Sequence, residues 1–538
     1  MGPDRPDAEA LVLGAGPAGL GVAIELRRRG VEATVLERAP AVGASWRERY
    51  DALRLNSARW LSGMRAARIP RSAGLWPGRD DYVAYLEGAV ERFGLDVRCR
   101  VEARRVDRAP GGYTVSTDQG ELSARHVVVA TGYDRVAHLP DWPGREGFAG
   151  ELLHAAAYRR PEPFAGRDVL VVGAGNTGTE VATALARGGA ARVRVALRTP
   201  PNIFPRELLG FPVQALGALM AHQPAALADR GGYLLQRLTW GDLRPYGLPR
   251  APMGIATEVR VKGLGPVVDS GFVAELRAGR IEIVPALDAF DGADVVLADG
   301  SRVRPEAVIA ATGYRHGLED LVGHLGVLLP SGRPARVDGR AHPAAPGLHL
   351  NGYHLPLAGQ LAAQRATSRR IARAVARQRR RARWAERARR VENRAYRALR
   401  HPRAGAAAAA LPGPATLERL AASRHCLLIS YRRTGEPVPT PVWFALDGDR
   451  LVFESDADAA KVRRLRRQPR VRVAPCSSRG RPLGAPVEAV ARVLGPPEAD
   501  AAERALDGRY GATRRLLTRL RPAPAAGVAY VEVVAAGA

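Results

Sequence analysis

Two stretches in the first 200 residues share one pattern of apolar and polar positions. Residues 10–37 open on an apolar run, Ala10-Leu-Val-Leu13, and turn through Gly14-Ala-Gly16-Pro17-Ala18-Gly19. A helix-like stretch then reaches Arg29-Gly30, and a second run, Ala33-Thr-Val-Leu-Glu37, closes the unit. Residues 168–198 repeat the scheme with Asp168-Val-Leu-Val-Val172, the turn Gly173-Ala-Gly175-Asn176-Thr177-Gly178, a helix-like stretch and Val193-Arg-Val-Ala-Leu-Arg198. Short apolar runs bounded by glycine read as strands buried on both faces, so each copy predicts strand, turn, helix and parallel strand. Two further runs flank the second copy. Val127-Val-Val-Ala and Val308-Ile-Ala-Ala each end in Thr-Gly-Tyr, at Thr131-Gly132 and Thr312-Gly313. The simplest topology is one unit inserted into another, with the first at 1–164 and 308–376 and the insert at 165–307. Two consecutive domains are the alternative.

Beyond residue 361 the pattern becomes an arginine-rich helix reaching about Arg403, with Ile371, Ala372 and Val375 as an apolar stripe that fades after Arg377. Residues 405–414 are Ala, Gly and Pro with one leucine and read as a linker, so 377–414 forms a connector. From 415 to 538 the texture is short strands separated by turn signals such as Asp447-Gly-Asp, with one helix near Ala459 to Arg467. That spacing predicts a small antiparallel barrel.

Composition narrows the classes. The chain has 538 residues and a net charge of +27, and Lys262 and Lys461 are its only lysines. Arginine in an Ala-, Gly- and Pro-rich chain is what a GC-rich genome writes, and without a zinc finger or aromatic-basic interleaving a nucleic-acid partner is disfavoured. An anion-binding role for the arginine helix stays as an alternative. Cys99, Cys426 and Cys476 are far apart and form no C-x-x-C, which removes a disulfide scaffold, a zinc ribbon and a dithiol reductase, and no metal site is expected. No apolar run approaches membrane-spanning length. The start, Met-Gly-Pro-Asp-Arg-Pro-Asp, is unlike a leader, and the expectation is a soluble, cytoplasmic protein.

The chemistry sits in the turns. Gly14, Gly16 and Gly19 permit a tight bend and let backbone N–H groups, with Pro17 and Ala18, approach a pyrophosphate at a helix N-terminus. Glu37, beside Arg38, stands where a carboxylate accepts ribose hydroxyls. In the second copy Gly173, Gly175, Asn176, Thr177 and Gly178 repeat the cradle, but Leu197 replaces the acid and Arg198 and Thr199 follow. A carboxylate there would repel a 2′-phosphate and an arginine would pair with it. The first fold is therefore expected to hold FAD and the second NADPH. With no redox dithiol, dioxygen is the obvious oxidant for the reduced flavin.

Between the two cradles, Phe148-Ala-Gly150-Glu-Leu-Leu-His154-Ala-Ala-Ala-Tyr158 resembles the F-x-G-x-x-x-H-x-x-x-aromatic fingerprint of class B flavin-dependent monooxygenases. The stretch from Gly43 through Trp46 to Asn56-Ser57 is similar to that family's flavin-facing segment. Asn202-Ile-Phe-Pro-Arg206-Glu-Leu-Leu-Gly resembles the indole-pyruvate monooxygenase branch and its bacterial relatives. The resemblance implies that NADPH reduces FAD and that dioxygen adds to form a flavin C4a-hydroperoxide, which oxygenates a small organic substrate. Asn56 matches the position that donates a hydrogen bond to that adduct and is the catalytic candidate, with a turn role as its rival reading. The resemblance assigns Trp46, Thr131, Gly132, Thr312 and Gly313 to the cofactors, and His154 to organising the fingerprint loop. The closing aromatic is Tyr158 rather than Trp, and no dedicated arginine stands out. Both features point to N- or S-oxygenation, or to oxidative decarboxylation of a 2-oxo acid, rather than to a Baeyer–Villiger reaction. An NADPH oxidase or two-dinucleotide reductase is the competing enzyme.

The C-terminal segment resembles the pyridoxamine-phosphate-oxidase-like split barrels and their deazaflavin-dependent branch. The matching residues are Pro439-Thr440-Pro441-Val-Trp443, the basic run from Lys461 through Arg464, and Cys476 with Arg479-Gly480. The resemblance implies a reductase-like domain holding FMN or a deazaflavin coenzyme of the F-420 type. Lys461 and Arg464 would sit on the phosphate tail, Thr440 and Trp443 would line the ring, and the barrel would form a homodimer. The expected whole is an α/β flavoprotein of two nested Rossmann-like dinucleotide-binding domains followed by a small antiparallel split β-barrel, possessing two redox activities in one chain.

Overall fold

The computed structural model describes residues 6–221, 223–399, 401–520 and 527–536, without the side chains of 385–386, 388–399, 513 and 515–520. The first five residues of the polar start, and most side chains in the later part of the arginine-rich helix, lie outside the described residues. The chain forms two units, Met1–Ala376 and Arg377–Ala538.

In the first unit, strand Ala8–Leu13 pairs in parallel with Ala33–Glu37 on one side and Gly120–Val129 on the other. Asp96–Cys99 extends one edge, and the antiparallel strands Gly112–Thr117 and Ala103–Ala109 extend the other. Leu348–Leu350 returns to pair with Gly120–Val129. The second sheet is parallel throughout, in the order Glu282–Pro285, Arg192–Leu197, Asp168–Val172, Ala307–Ala310, Glu151–His154. The strand before the second Ala-Thr-Gly thus pairs inside the second sheet, as does the strand carrying the fingerprint histidine. The chain leaves the first sheet after Val129 and rejoins it at Leu348. The boundaries expected at 164/165 and 307/308 therefore move outward by at least one strand at each end, because those edge strands complete the parallel ladder around Asp168–Val172.

Apolar burial follows this layering. Helix Pro17–Arg27 buries Leu20 and Ile24 in the first core, where the expected stripe of the late helix, Ile371, Ala372 and Val375, also packs. That helix spans Gln360–Leu399. Among the described residues no helix is long and apolar enough to cross a membrane.

The second unit is a seven-stranded antiparallel sheet. Its order is Pro437–Trp443, His425–Tyr431, Arg470–Cys476, Val487–Val493, Val528–Ala535, Arg450–Asp456, Ala445–Asp447. It encloses a core that includes Phe444, Phe453 and Val531. Helix Ala460–Arg467 falls where the sequence places one. A second helix, Pro496–Leu520, kinked at Gly511, was not expected; it buries Ala502 and Leu506. The expected linker also differs. Ala406–Ala409 is helical, and Ala407 packs with Leu427 and Ile429. Arg472 donates to the Ala408 carbonyl at 2.9 Å. Alanine favours the helix and is small enough to lie flat on strand side chains.

The glycine turns are built twice in the same way. A Cβ on Gly19 would collide with the Gly14 carbonyl oxygen, and one on Gly178 with that of Gly173, so strand and helix close without a side chain between them. Gly14 (φ 109°) and Gly173 (φ 106°) adopt a backbone that only glycine takes comfortably. A Cβ on Gly16 or Gly175 would meet nothing within 4 Å.

Two stability outcomes follow. Gly19→Ala is expected to lower the stability of the ligand-free protein by about 1–3 kcal/mol, and Gly16→Ala by no more than about 0.5 kcal/mol, in denaturant titrations. Phe453→Ala, at a fully buried barrel position, is expected to cost about 3–5 kcal/mol, read as a lowered transition of the second unit with that of the first unchanged.

Candidate functional site

The open side of each turn is where a ligand fits. Gly14 N–H bonds the Leu36 carbonyl at 2.7 Å, and Gly173 N–H bonds that of Ala196 at 2.8 Å, so both loops bend identically over the end of the next strand. Since protein packing does not require glycine at Gly16 or Gly175, the room there is free for an external group against the helix N-terminus. In the first turn Glu37 accepts the Ala15 N–H at 2.7 Å and the Ala39 N–H at 3.0 Å, which fixes the carboxylate at the strand end with lone pairs to spare. Asn351, 1% exposed, donates to the Ala18 carbonyl and to Ser368 at 3.0 Å each, and its Oδ1 is buried without a partner. Backbone cradle, carboxylate and orphaned amide oxygen fit FAD in the first fold. In the second, Leu197 ends the strand and Arg198 and Thr199 are exposed beside it. Arg38 is likewise exposed.

The two Ala-Thr-Gly segments meet the joint between the folds. Thr131 hydroxyl bonds Tyr353 hydroxyl at 2.9 Å, and Thr312 donates to the His138 carbonyl. His154 accepts the Ala156 N–H on Nδ1 at 3.0 Å, so its Nε2–H donates to the Gly313 carbonyl at 3.1 Å. Burial holds its pKa down, and the ring is a neutral strut. Gly150 is pressed under the Phe148 ring, which packs on Phe290 at 4.9 Å. Tyr158 is buried between Tyr50 and Phe164, and burial pushes its phenol well up. Trp46 packs edge-on against Tyr82 at 4.5 Å, against the first core.

Asn56 is a crossing point. Its Nδ2 donates to Glu180 Oε1 at 2.7 Å and weakly to Asn176 Oδ1 at 3.3 Å, and its Oδ1 accepts Arg206 Nη2 at 2.9 Å. Tyr50 hydroxyl donates to the other Glu180 oxygen. Arg206 lies 5.3 Å over the Trp76 ring, and its Nε is buried with no partner. Burial depresses the guanidinium's pKa and raises that of the Glu180 carboxyl. Sequence reasoning found Asn56 and Asn176 but missed Glu180, Tyr50 and the part played by Arg206. The available signal was one acid in Asn176-Thr-Gly-Thr-Glu180-Val-Ala-Thr-Ala-Leu, four residues after the cradle asparagine and so on the same helix face.

In the barrel, Thr440 and Trp443 share one continuous strand at odd separation and therefore face opposite sides. The expectation that both line one ring site is corrected on that ground. Trp443 stacks on Tyr510 at 4.8 Å and donates to His425 Nε2 at 2.9 Å. Lys461 and Arg464 are three apart on one helix; Lys461 lies 6.0 Å from the Phe453 ring centre, and Arg464 donates to Ser430 at 2.9 Å. Burial depresses Arg464, as does the neighbouring charge of Arg432, Arg463 and Arg467. Cys99, Cys426 and Cys476 are free thiols.

Comparison with known proteins agrees with this geometry. Residues 11–205 match the family described as pyridine nucleotide-disulphide oxidoreductase, and residues 413–534 the one described as pyridoxamine 5'-phosphate oxidase. Indole-3-pyruvate monooxygenase YUCCA1 of Oryza sativa subsp. japonica is 36% identical over 315 residues, 57% of this chain and 76% of that protein. Probable indole-3-pyruvate monooxygenase YUCCA3 of Arabidopsis thaliana is 34% identical, over 57% and 72%. The flavin-containing monooxygenase of Stenotrophomonas maltophilia superposes with a TM-score of 0.53 at 25% identity, over 69% of this chain and 97% of that one. Cyclohexanone monooxygenase shares the fold, with a TM-score of 0.54 at 19% identity over 69% and 88%. The chain belongs to the family of flavin-dependent monooxygenases that includes the indole-3-pyruvate monooxygenases, with a pyridoxamine-phosphate-oxidase-like split barrel fused C-terminal to its two nucleotide folds.

Proposed function

We propose that the protein uses NADPH, FAD and dioxygen to decarboxylate a 2-oxo acid oxidatively. The observation that carries the substrate class is Arg206. Its guanidinium is partly desolvated beside Asn56, with one N–H buried and unpartnered, and a substrate carboxylate would satisfy it. The name of the rice relative specifies indole-3-pyruvate, itself a 2-oxo acid, which supports the same class. FAD, once reduced, supplies the activation of dioxygen. The chain's own residues do the rest: the Gly16 turn and Glu37 hold the dinucleotide, Asn56 offers an amide N–H at the junction, and Arg206 orients the acid. The exposed Arg198, next to Leu197 where the first fold has the carboxylate of Glu37, supports NADPH over NADH.

For the barrel we infer a phosphate-bearing flavin or deazaflavin, its tail held by Lys461 and Arg464, in a homodimer. Like-charged neighbours around Arg464 favour an anion there. A second hydride-transfer step fused to the first would serve one pathway.

The test is product formed per NADPH consumed, across 2-oxo acids, amines and thioethers. Coupled turnover with a 2-oxo acid supports the reading, and hydrogen peroxide as the sole product with every class contradicts it. Arg198→Ala is expected to raise the KM for NADPH at least tenfold with little effect on that for NADH, the scale of a lost charged hydrogen bond of about 1.5–3 kcal/mol. Arg206→Ala is expected to raise the KM for the 2-oxo acid by a similar factor, and Asn56→Ala to turn consumed NADPH into hydrogen peroxide, as a peroxidase-coupled assay would show.

A further inference from the structure

The Asn56 amide is bonded on both ends to groups of opposite character. Its oxygen faces the guanidinium of Arg206 and its nitrogen faces the carboxylate of Glu180. A flipped amide would set oxygen against carboxylate and N–H against guanidinium, so both contacts oppose the flip. Of the two Nδ2 hydrogens, one is committed to Glu180. The other points to Asn176 Oδ1, which already accepts the Val268 N–H at 2.8 Å. That second, weaker bond is the one Asn56 can give up to another acceptor.

We propose that Glu180 is a positioning residue for this enzyme: from the helix that begins at the second glycine cradle, its carboxylate fixes the orientation of Asn56 and so decides which amide hydrogen faces the reaction. Three features support the assignment. Both Glu180 oxygens accept hydrogen bonds, from Asn56 and from Tyr50, which is the pattern of an ionised carboxylate with no proton of its own to place. Tyr50 is 7% exposed and packs on Tyr158, so its hydroxyl is held where it donates. Asn176 and Glu180 lie one turn apart on the Asn176–Arg187 helix, so a single element holds both acceptors facing Asn56. Asn56 and Tyr50 come from the segment between the first fold's strands Ala33–Glu37 and Asp96–Cys99, so the contact also registers one nucleotide fold against the other.

Protonation would weaken the arrangement, because it removes the negative charge that Asn56 Nδ2 and Arg206 face. A neutral Glu180 gains a hydrogen that the Tyr50 hydroxyl can accept by reversing its bond, while the other oxygen still accepts from Asn56 but without the charge that strengthens that bond. The groups facing it are Tyr50, Asn56, Arg206 and Arg49, with Arg54 and Asp269 around Arg206. Burial raises its pKa from the ordinary glutamate value, so coupling between NADPH use and oxygenation is expected to fall as the pH is lowered.

The inference rests on the role given to Asn56, and the experiment separates the two. FAD-loaded Glu180→Ala, Glu180→Gln, Asn56→Ala and the double variant Glu180→Ala/Asn56→Ala are compared for FAD content, thermal midpoint, peroxide released per NADPH between pH 5.5 and 8.5, and crystal structure. Glu180→Ala is expected to leave the Asn56 amide held through Arg206 alone, so that its Nδ2 turns from its present direction, and to raise the peroxide fraction at least half as far as Asn56→Ala. The double variant should be no worse than Asn56→Ala alone. Glu180→Gln, which keeps an acceptor for Asn56 but has no charge to titrate, is expected to recover most of the coupling and to lose its acid-side decline. An unchanged Asn56 orientation in Glu180→Ala, or additive losses in the double variant, overturns the proposal. A displaced amide with unchanged coupling leaves Glu180 as the positioning residue and removes Asn56 from the chemistry.

Discussion

A steric constraint repeated twice governs the first unit: the third glycine of each turn lies so close to the carbonyl of the first that any side chain would force strand and helix apart. Because Gly19 and Gly178 close that gap, each helix begins directly at the strand end, and a side chain at Gly16 or Gly175 would meet no protein atom within 4 Å. Everything chemical is then placed relative to two such cradles. The parallel ladders behind them, Ala8–Leu13 with its neighbours and Asp168–Val172 with its own, supply the rigidity. Bonds from Tyr50 and Asn56 of the first fold to Glu180 of the second tie the two folds together.

Asn56 gains meaning from that placement. Alone on an irregular segment it would be one more turn asparagine. Between Arg206 and Glu180 it is an amide with a defined orientation, because each neighbour supplies what the amide atom opposite lacks. A guanidinium with an unsatisfied N–H stands in the same place, and the proposed 2-oxo acid would satisfy it. The second unit follows a different logic. Its barrel core is independent, and its basic helix is crowded with like charge around Arg464, an arrangement that an anionic tail would relieve.

The legible parts of the sequence were those in which local geometry dictates residue type. Gly14, Gly16 and Gly19 and their second set, the buried runs around them, the stripe Ile371, Ala372 and Val375, and most barrel strands are local in this sense. Arg206 and Glu180 were not legible in their roles, since 26 positions separate them and only tertiary packing brings both to Asn56. Composition misled at Ala406–Ala409, where an alanine run that looks like slack chain docks against Leu427 and Ile429. Periodicity also argues against pairing Thr440 with Trp443, because a strand turns successive side chains to opposite faces. Strand membership at the edges was misjudged as well: Ala307–Ala310 belongs to the second sheet because its partner, Asp168–Val172, lies there.

The most direct test of the account is the fate of the oxygen atoms. Turnover of NADPH and a 2-oxo acid under ¹⁸O-labelled dioxygen, with the product analysed by mass spectrometry, should place one labelled oxygen in the carboxylic acid formed and release carbon dioxide in equal amount. A product that has only solvent oxygen, or NADPH consumed with all of the label in hydrogen peroxide, would contradict it.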